Sequence, residues 1–588
     1  MAVEKLIVDH IDTWTTALQT RSTAGRGSSG KIDLYGIKKL RELILELAVR
    51  GKLVPQDPND EPASVLLERI AAEKAELMKQ GKIKKQKPLP EISEEEKPFE
   101  LPVGWEWTTL NTLAEINPKI DVSDDEQDIS FVPMPLISTK FDGSHDFEVR
   151  KWKEVKKGYT HFANGDIAIA KITPCFENSK AAIFSGLKNN VGVGTTELHV
   201  ARPYSPAVNQ QYLLLNFKSP GFLKTGESQM TGSAGQKRVP RNFFENYPLP
   251  FPPLQEQERI VNNFTQLMIL CDQLEQHSLT SLDAHQQLVE TLLTTLTDSQ
   301  NADELAVNWA RISEHFDTLF TTEASIDALK QAILQLAVMG KLVPQDPNDE
   351  PASELLKRIA QEKAQLVKDG KIKKQKPLPP ISEEEKPFEL PEGWEWCRLE
   401  EIAYIFSGNA FKSEDFNESA GTKCIKITNV GVHEFIESQD YLPSDFNKSY
   451  HNFRVYSGDM IIAMTRPYIS SGLKICICPD NYHNALLNQR VCAIRLSHFS
   501  EYYYLFLKSL FVLMHYQDRF NNSGLQPNLK MADISHLLIP VPPENEQNKI
   551  QNKINALYTM IETLLELTKS AQQTQLHLAD ALTDAAIN

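Results

Sequence analysis

Two clusters of polar and basic side chains recur at matching places in this chain, and both hold groups that read nucleic acid rather than groups that break bonds. The first contains Lys171, Thr173, Asn178, Ser179 and Lys180, directly after a Gly165-Asp166 pair. The second contains Arg466, Tyr468, Ser470, Ser471 and Lys474, directly after Gly458-Asp459. Another pair of loops follows. Gln236, Lys237, Arg238 and Arg241 lie in GSAGQKRVPRN, and Gln526 and Lys530 lie in NSGLQPNLK. Arg, Lys, Gln, Asn and Ser donate and accept at base edges and phosphates. Two such loops in each half of the chain predict a reading surface for nucleic acid.

Motifs for bond-making chemistry are missing. Gly25 to Ile32 nearly spells a phosphate-binding loop, but Ile32 stands where a magnesium-holding Ser or Thr is needed and no apolar strand precedes it. No NPPY- or DPPY-like tetrapeptide of amino-methyltransferases occurs, and no GxGxxG follows a strand. His145, His161 and His199 have no nucleophile or carboxylate at a catalytic spacing. Of seven cysteines only Cys476 and Cys478 are close, with no second pair to complete a zinc site. The expectation is no catalytic residue, no metal and no cofactor on this chain. The scattered thiols read as reduced and buried, which fits a cytoplasmic protein. No apolar run of membrane-spanning length occurs, and the acidic N-terminus lacks the layout of a signal peptide.

A net charge of −16 argues against a polyanionic partner, but the charge is unevenly placed. Residues 150–241 hold 14 basic and 5 acidic side chains, a net of +9, and residues 448–530 hold 9 and 4, a net of +5. Two basic patches on acidic scaffolding can bind phosphate locally and repel it elsewhere.

The elements that must position these clusters come in duplicate. Residues 51–107 recur as 340–396, with 49 of 57 positions identical. Both copies open GKLVPQDPNDEPAS, run through GKIKKQKPLP and end in GWEW. Leu40, Leu43, Ile44, Leu47 and Ala48 predict a helix before the first copy, and Ser64 is expected to cap a second helix through Lys79. A Pro- and charge-rich strap follows, with Phe99, Trp105 and Trp107 as anchors. Each repeat leads into a block of β-branched and aromatic runs with Gly turns. Each block closes on PFPPLQEQERI or PVPPENEQNKI, a Pro-Pro stop with an acidic first turn that starts a long amphipathic helix. Ile260, Phe264, Leu267, Cys271 and Leu274 space as a coiled-coil seam, as do Ile550, Ile554, Leu557, Ile561 and Leu564. A bend or break is expected near Ser278–Ser281. The expected segments are 1–33 (helix and linker), 34–107 (first repeat), 108–250 (first block), 251–300 (long helix), 301–396 (second repeat), 397–540 (second block) and 541–588 (last long helix).

These segments together resemble the specificity subunit of a type I restriction-modification enzyme. The resemblance rests on the doubled GKLVPQDPNDEPAS, the strap endings FELPVGWEW and FELPEGWEW, and the PxPPxxEQ helix starts, and it covers nearly the whole chain. It implies an α+β fold, with two α/β target recognition domains separated by long antiparallel, coiled-coil-like helices and an internal pseudo-two-fold repeat. Each domain would read one half of a bipartite, asymmetric site on double-stranded DNA. Two methyltransferase (modification) subunits and two motor-nuclease (restriction) subunits would dock on the frame and do the chemistry. S-adenosylmethionine, ATP and magnesium would belong to those partners, and no membrane is involved. The resemblance marks the chain itself as non-catalytic. A helical scaffold with two protein-binding domains and no DNA is the alternative reading, and a self-sufficient nuclease or methyltransferase a third.

Overall fold

The structure, a computed structural model, describes residues 3–21, 31–83, 92–233, 235–370, 378–432, 434–469, 472–520 and 527–587. The near phosphate-binding loop before Lys31, the middle of both straps, and Ser470, Ser471 and Gln526 lie outside the described residues. Two units are formed, one from residues 1–19, 32–279 and 572–588, the other from 20–31 and 280–571. Six helices frame them: α1 (Tyr35–Val49), α2 (Ala63–Lys79), α3 (Leu254–Thr297), α4 (Glu323–Val338), α5 (Ala352–Lys368) and α6 (Glu544–Ile587).

In the first unit, Leu40, Leu43, Ile44, Leu47 and Ala48 of α1 are all buried, as their helical spacing requires. The helix ends at Gly51, whose φ of +68° is open to Gly and strained for other residues. A Cβ there would lie 2.5 Å from Pro102 and 2.8 Å from the Trp105 ring, so the strap can close onto the helix end only over a glycine. Lys52 then donates to the Ile587 carbonyl at the last turn of α6 (2.6 Å), a cation on the negative end of a helix. Helix α2 starts two residues earlier than a Ser64 cap would place it, with Pro62 at the cap position. Its Ala63 N–H donates to Gly104 O (2.9 Å) in the strap, and Ser64 makes no cap.

The same unit fixes the helix directions. Arg41 pairs with Asp272 and Glu275 (both 2.6 Å), and further along the chain Asp60 pairs with Arg259 (2.6 Å), so α1 and the start of α3 run oppositely. Tyr35 donates to Asp580 (2.7 Å) and Lys52 to Ile587, so α1 and the end of α6 run together. The first turns of α3 and the last turns of α6 are therefore antiparallel.

The second unit repeats this plan with the long helices exchanged. Gly340 (φ +69°) has Pro391 2.5 Å from an added Cβ, and Lys341 caps Thr297 O (3.0 Å) and Ser299 O (2.9 Å) at the end of α3. Asp349 holds Asn545 (3.0 Å) and Lys549 (3.1 Å) at the start of α6. Tyr558 of α6 donates to Lys330 O (3.2 Å), and Lys569 pairs with Glu323. The seam residues Ile550, Ile554 and Ile561 share a core with Ile326, Leu329 and Ile333 of α4. Here α4 runs against the start of α6 and along the end of α3.

Helices α3 and α6 each span 44 residues without interruption, so the break expected at Ser278–Ser281 is not formed. The polar turns satisfy themselves. Thr291 and Thr295 donate to the carbonyls of Gln287 (2.7 Å) and Thr291 (2.8 Å), four residues back.

Each variable block is closed at its neck by pairing its entry with its exit. Glu106–Thr109 pairs antiparallel with Pro248–Phe251, and Glu395–Arg398 with Leu538–Val541. Inside, one four-stranded sheet has the order Ala114–Ile116, Leu198–Pro203, Ile167–Ala170, Ala181–Ile183. Its counterpart has the order Ala403–Ser407, Val491–Leu496, Met460–Ala463, Ile475–Ile477. The central strands of both sheets share one register, with Leu198 opposite Ala170 and Val491 opposite Ala463. The architecture is α+β, with each of the two unlike blocks set on its own copy of the repeated helical frame.

Candidate nucleic-acid interface

The Gly-Asp pairs are structural anchors for the loops that follow them. Asp166 is buried and accepts from both arms of Arg202 (2.8 and 2.7 Å) and from Ala163 N–H (2.7 Å). Asp459 does the same with Arg495 (2.9 and 2.6 Å) and Tyr456 N–H (2.7 Å). Burial raises the Asp166 carboxyl above its ordinary range, and the Arg202 guanidinium opposes that rise. This pair sets where the central strand begins, and the strand delivers its C-terminal residues to the loops.

At that end the two predicted loops of each block meet. In the first block Lys171 N–H donates to Glu197 O (2.9 Å), Val239 N–H to Lys171 O (2.8 Å) and Thr173 N–H to Lys237 O (3.0 Å). In the second, Met464 N–H donates to Arg490 O (2.8 Å), Leu529 N–H to Met464 O (2.7 Å) and Arg466 N–H to Pro527 O (2.9 Å). Three bonds in the same order join three segments in both blocks. Thr173 and Arg466 are thus equivalent, as are Arg238 and Asn528, and Glu197 and Arg490.

The side chains divide into those that build the loops and those that leave them. Lys180 donates inward to Met134 O (2.9 Å). Ser179 adopts φ +52° and offers its carbonyl to the buried Lys218 amine (2.7 Å), which also holds Thr139 O (3.2 Å). Burial brings the Lys218 amine down to about 7, with Asp142 opposing. Arg238 grips both oxygens of Glu197 (2.8 and 2.9 Å), and Arg241 turns back to Glu245. Thr173 Oγ1 is buried with no hydrogen-bond partner among the described residues. Gln236 and Lys237 are exposed, while Lys171 is half-buried beside Glu197. In the second block Arg466 and Lys530 are exposed and Lys474 is half-buried; none has a side-chain ion pair among the described residues.

His199 is part of the framework and not a lone histidine. It lies on the strand Leu198–Pro203, is 4% exposed, donates to Val239 O (3.1 Å) and stacks on Phe244. Burial brings its ring down to about 4. Four of the five cations in the basic run at 150–157 are not free charge either. Arg150 pairs with Glu148, Lys151 with Asp128 and Lys156 with Asp125, each at 2.8 Å, and Lys153 with Glu126. The positive surface of the first block is correspondingly narrower than its composition implies. Two residues were missed in the sequence, Glu197 and Arg490; only the shared strand register aligns them.

Comparison with known proteins places this arrangement. A family model for the type I restriction modification DNA specificity domain matches residues 102–284 and 391–573. Those two stretches take in both variable blocks and much of the long helix after each. The EcoAI specificity subunit of a type I restriction enzyme from Escherichia coli is 71% identical, over 100% of both chains. The EcoEI specificity subunit, also from Escherichia coli, is 63% identical over the same full lengths. The MjaVIII specificity subunit of Methanocaldococcus jannaschii is 34% identical over 30% of this chain and 41% of its own. With two matched domains and full-length relatives at this identity, the chain belongs to the family of type I restriction enzyme specificity subunits.

Proposed function

We propose that the two variable blocks are target recognition domains, each reading one half of a bipartite, asymmetric sequence on double-stranded DNA. The chain then directs adenine-N6 methylation and ATP-dependent restriction carried out by partner subunits. One observation carries this reading. Identical three-bond junctions present the same two loops in both blocks, yet the side chains on them differ. A shared scaffold with unlike reading heads matches a site with two unlike halves. In the first block Lys171, Gln236 and Lys237 are the contact candidates, with Thr173, Ser179, Lys180, Arg238 and Arg241 shaping the loops around them. In the second they are Arg466, Lys474 and Lys530, together with Ser470 and Gln526, which lie outside the described residues.

The doubled repeat supports two copies of one partner, two methyltransferase subunits, joined by two motor-nuclease subunits. S-adenosylmethionine, ATP and magnesium are assigned to those partners in a cytoplasmic complex. No described helix is long and apolar enough to cross a membrane.

The test is to map methylated adenines in DNA from cells expressing the chain with its modification subunits. A split, asymmetric motif whose halves change independently when either block is exchanged is the expected result. An unsplit motif, or methylation that ignores such exchanges, overturns it. A protein-binding scaffold would give no sequence-dependent, salt-sensitive shift of duplex DNA by the purified complex.

A further inference from the structure

The strand register makes Glu197 and Arg490 equivalent, and this exchange reverses the charge at the loop junction. In the first block Glu197 binds Nε and Nη2 of Arg238, and Nη1 of the same guanidinium donates to Gln236 O (3.0 Å). Three of the five N–H donors of Arg238 are thereby engaged inside the block, and its charge is matched. In the second block neither member of that pair is present, because Arg490 replaces the acid and Asn528 replaces the arginine.

Arg490 is exposed, and its side chain makes no hydrogen bond or ion pair with a described residue. The same holds for Arg466. Their backbones lie on one ladder, since Arg490 O accepts from Met464 N–H (2.8 Å) and Arg466 follows two residues later. Both adopt left-handed backbone conformations, φ +67° at Arg490 and +48° at Arg466. A side chain with a Cβ is disfavoured there, and Asn, Asp or Gly fits with less strain. Two strained arginines at one junction, with no hydrogen bond or ion pair to a described residue, are accounted for by a partner outside the chain. A guanidinium is planar and always charged, and its paired donors match two oxygens of one anion.

We infer that Arg490 and Arg466 form a phosphate clamp on the DNA backbone that belongs to the second block alone. This rests on the DNA-reading function proposed above. The clamp ties register to the second half-site through charge, whereas the first block spends its arginine on ordering its own loop. At these two junction positions the salt dependence of binding comes from the second block.

The experiment uses the full chain assembled with its modification subunits. The probe is a duplex carrying the site mapped from methylated host DNA, titrated over a range of salt. Arg490→Gly removes the guanidinium and relieves the strained φ, so the thermal midpoint holds or rises. Affinity is expected to fall about five- to tenfold, and the plot of log affinity against log salt to become shallower by about one. Arg466→Gly acts alike, and the double variant shallows the plot by about two. Unchanged affinity and slope in Arg490→Gly overturn the clamp. A loss confined to one base pair with the slope kept assigns base reading instead and also overturns it. Loss of a modification subunit from the complex, with DNA affinity intact per assembled particle, does the same in favour of a protein contact. Absence of salt-sensitive binding by the unaltered complex would fail the DNA reading itself, which is a separate result.

Discussion

Gln345 donates to Glu546 at 3.1 Å and to the Gly340 carbonyl at 2.6 Å, and Gln56 bonds Glu256 and Gly51 at the same two distances. Glu546 also receives the Trp394 indole at 3.0 Å. The glutamate of the PxPPxxEQ motif is thus 1% exposed in both copies and joins repeat, strap and long helix at one point. Burial raises both carboxyls, and the Gln56 and Gln345 donors, joined at Glu546 by the Trp394 indole, oppose that rise. Gly51 and Gln56, with Gly340 and Gln345, are alike in the two repeats because each pair builds one copy of this joint, where one long helix starts and the other ends. Partner docking is not needed to account for these particular residues.

Removing one donor from that buried carboxylate should be felt. Gln345→Ala is expected to destabilise the second unit by about 1–3 kcal/mol, the range for leaving a buried polar group short of a partner. Gln56→Ala should act on the first unit by a similar amount. Denaturant unfolding followed by tryptophan fluorescence reports this through Trp394 and Trp105. An unchanged midpoint in both variants would mean the joint is not a stabilising contact.

The glycines of the joint give an internally controlled prediction. Gly51→Ala and Gly81→Ala both place a Cβ at positive φ, +68° and +70°, which costs about 1 kcal/mol in each case. Only at Gly51 does the new atom also meet Pro102 and Trp105, while nothing lies within 4 Å at Gly81. Gly51→Ala should therefore destabilise the chain clearly more, and should loosen the strap to limited proteolysis near Pro102. Equal effects from the two substitutions would remove the close-packing argument.

Much of this was legible in the sequence because it was written twice. The repeat, the strap anchors, the starts of the long helices and the two loops per block all follow from matched spacing. What stayed hidden depended on partners distant in sequence. The basic run at 150–157 reads as free charge until strand pairing brings Asp125, Glu126 and Asp128 beside it. The PxPPxxEQ glutamate reads as an exposed acid at a helix start, and only the fold shows Gln56 and Trp105 closing over it. Arg238 reads as an unpaired cation until Glu197, 41 residues away, takes its guanidinium. The continuity of helix α3 through Ser278–Ser281 was hidden because the Ser-, Thr- and Gln-rich turns there carry no apolar period.

His199 makes the first block acid-sensitive. Its folded value of about 4 lies below the ordinary 6.5, so the unfolded chain binds the extra proton first. The stability linked to the neutral ring is therefore complete above pH 6.5 and is lost as pH falls from there towards 4. His199→Phe keeps the stacking on Phe244 but cannot titrate. It is expected to start less stable by about 1 kcal/mol through the lost bond to Val239 O, and to show a flatter decline over that window. Parallel pH curves for the two proteins would show that His199 does not carry the effect.

The Glu197–Arg238 pair separates an arginine that shapes a loop from one that reads a base. The side chains remain 22% and 42% exposed, so solvent screening limits the pair to about 1 kcal/mol of loop order. If Arg238 acts through its loop, Arg238→Ala and Glu197→Ala should weaken methylation of sites carrying the first half-site by similar factors. The double variant should then be no worse than either single one, since both substitutions remove the same interaction. If Arg238 instead turns to a base in the complex, its loss costs about 1–3 kcal/mol of discrimination at one position. Freeing it by Glu197→Ala would then leave affinity intact or increase it. Opposite responses to the two single substitutions would place Arg238 on the DNA; matched, non-additive losses keep it within the loop.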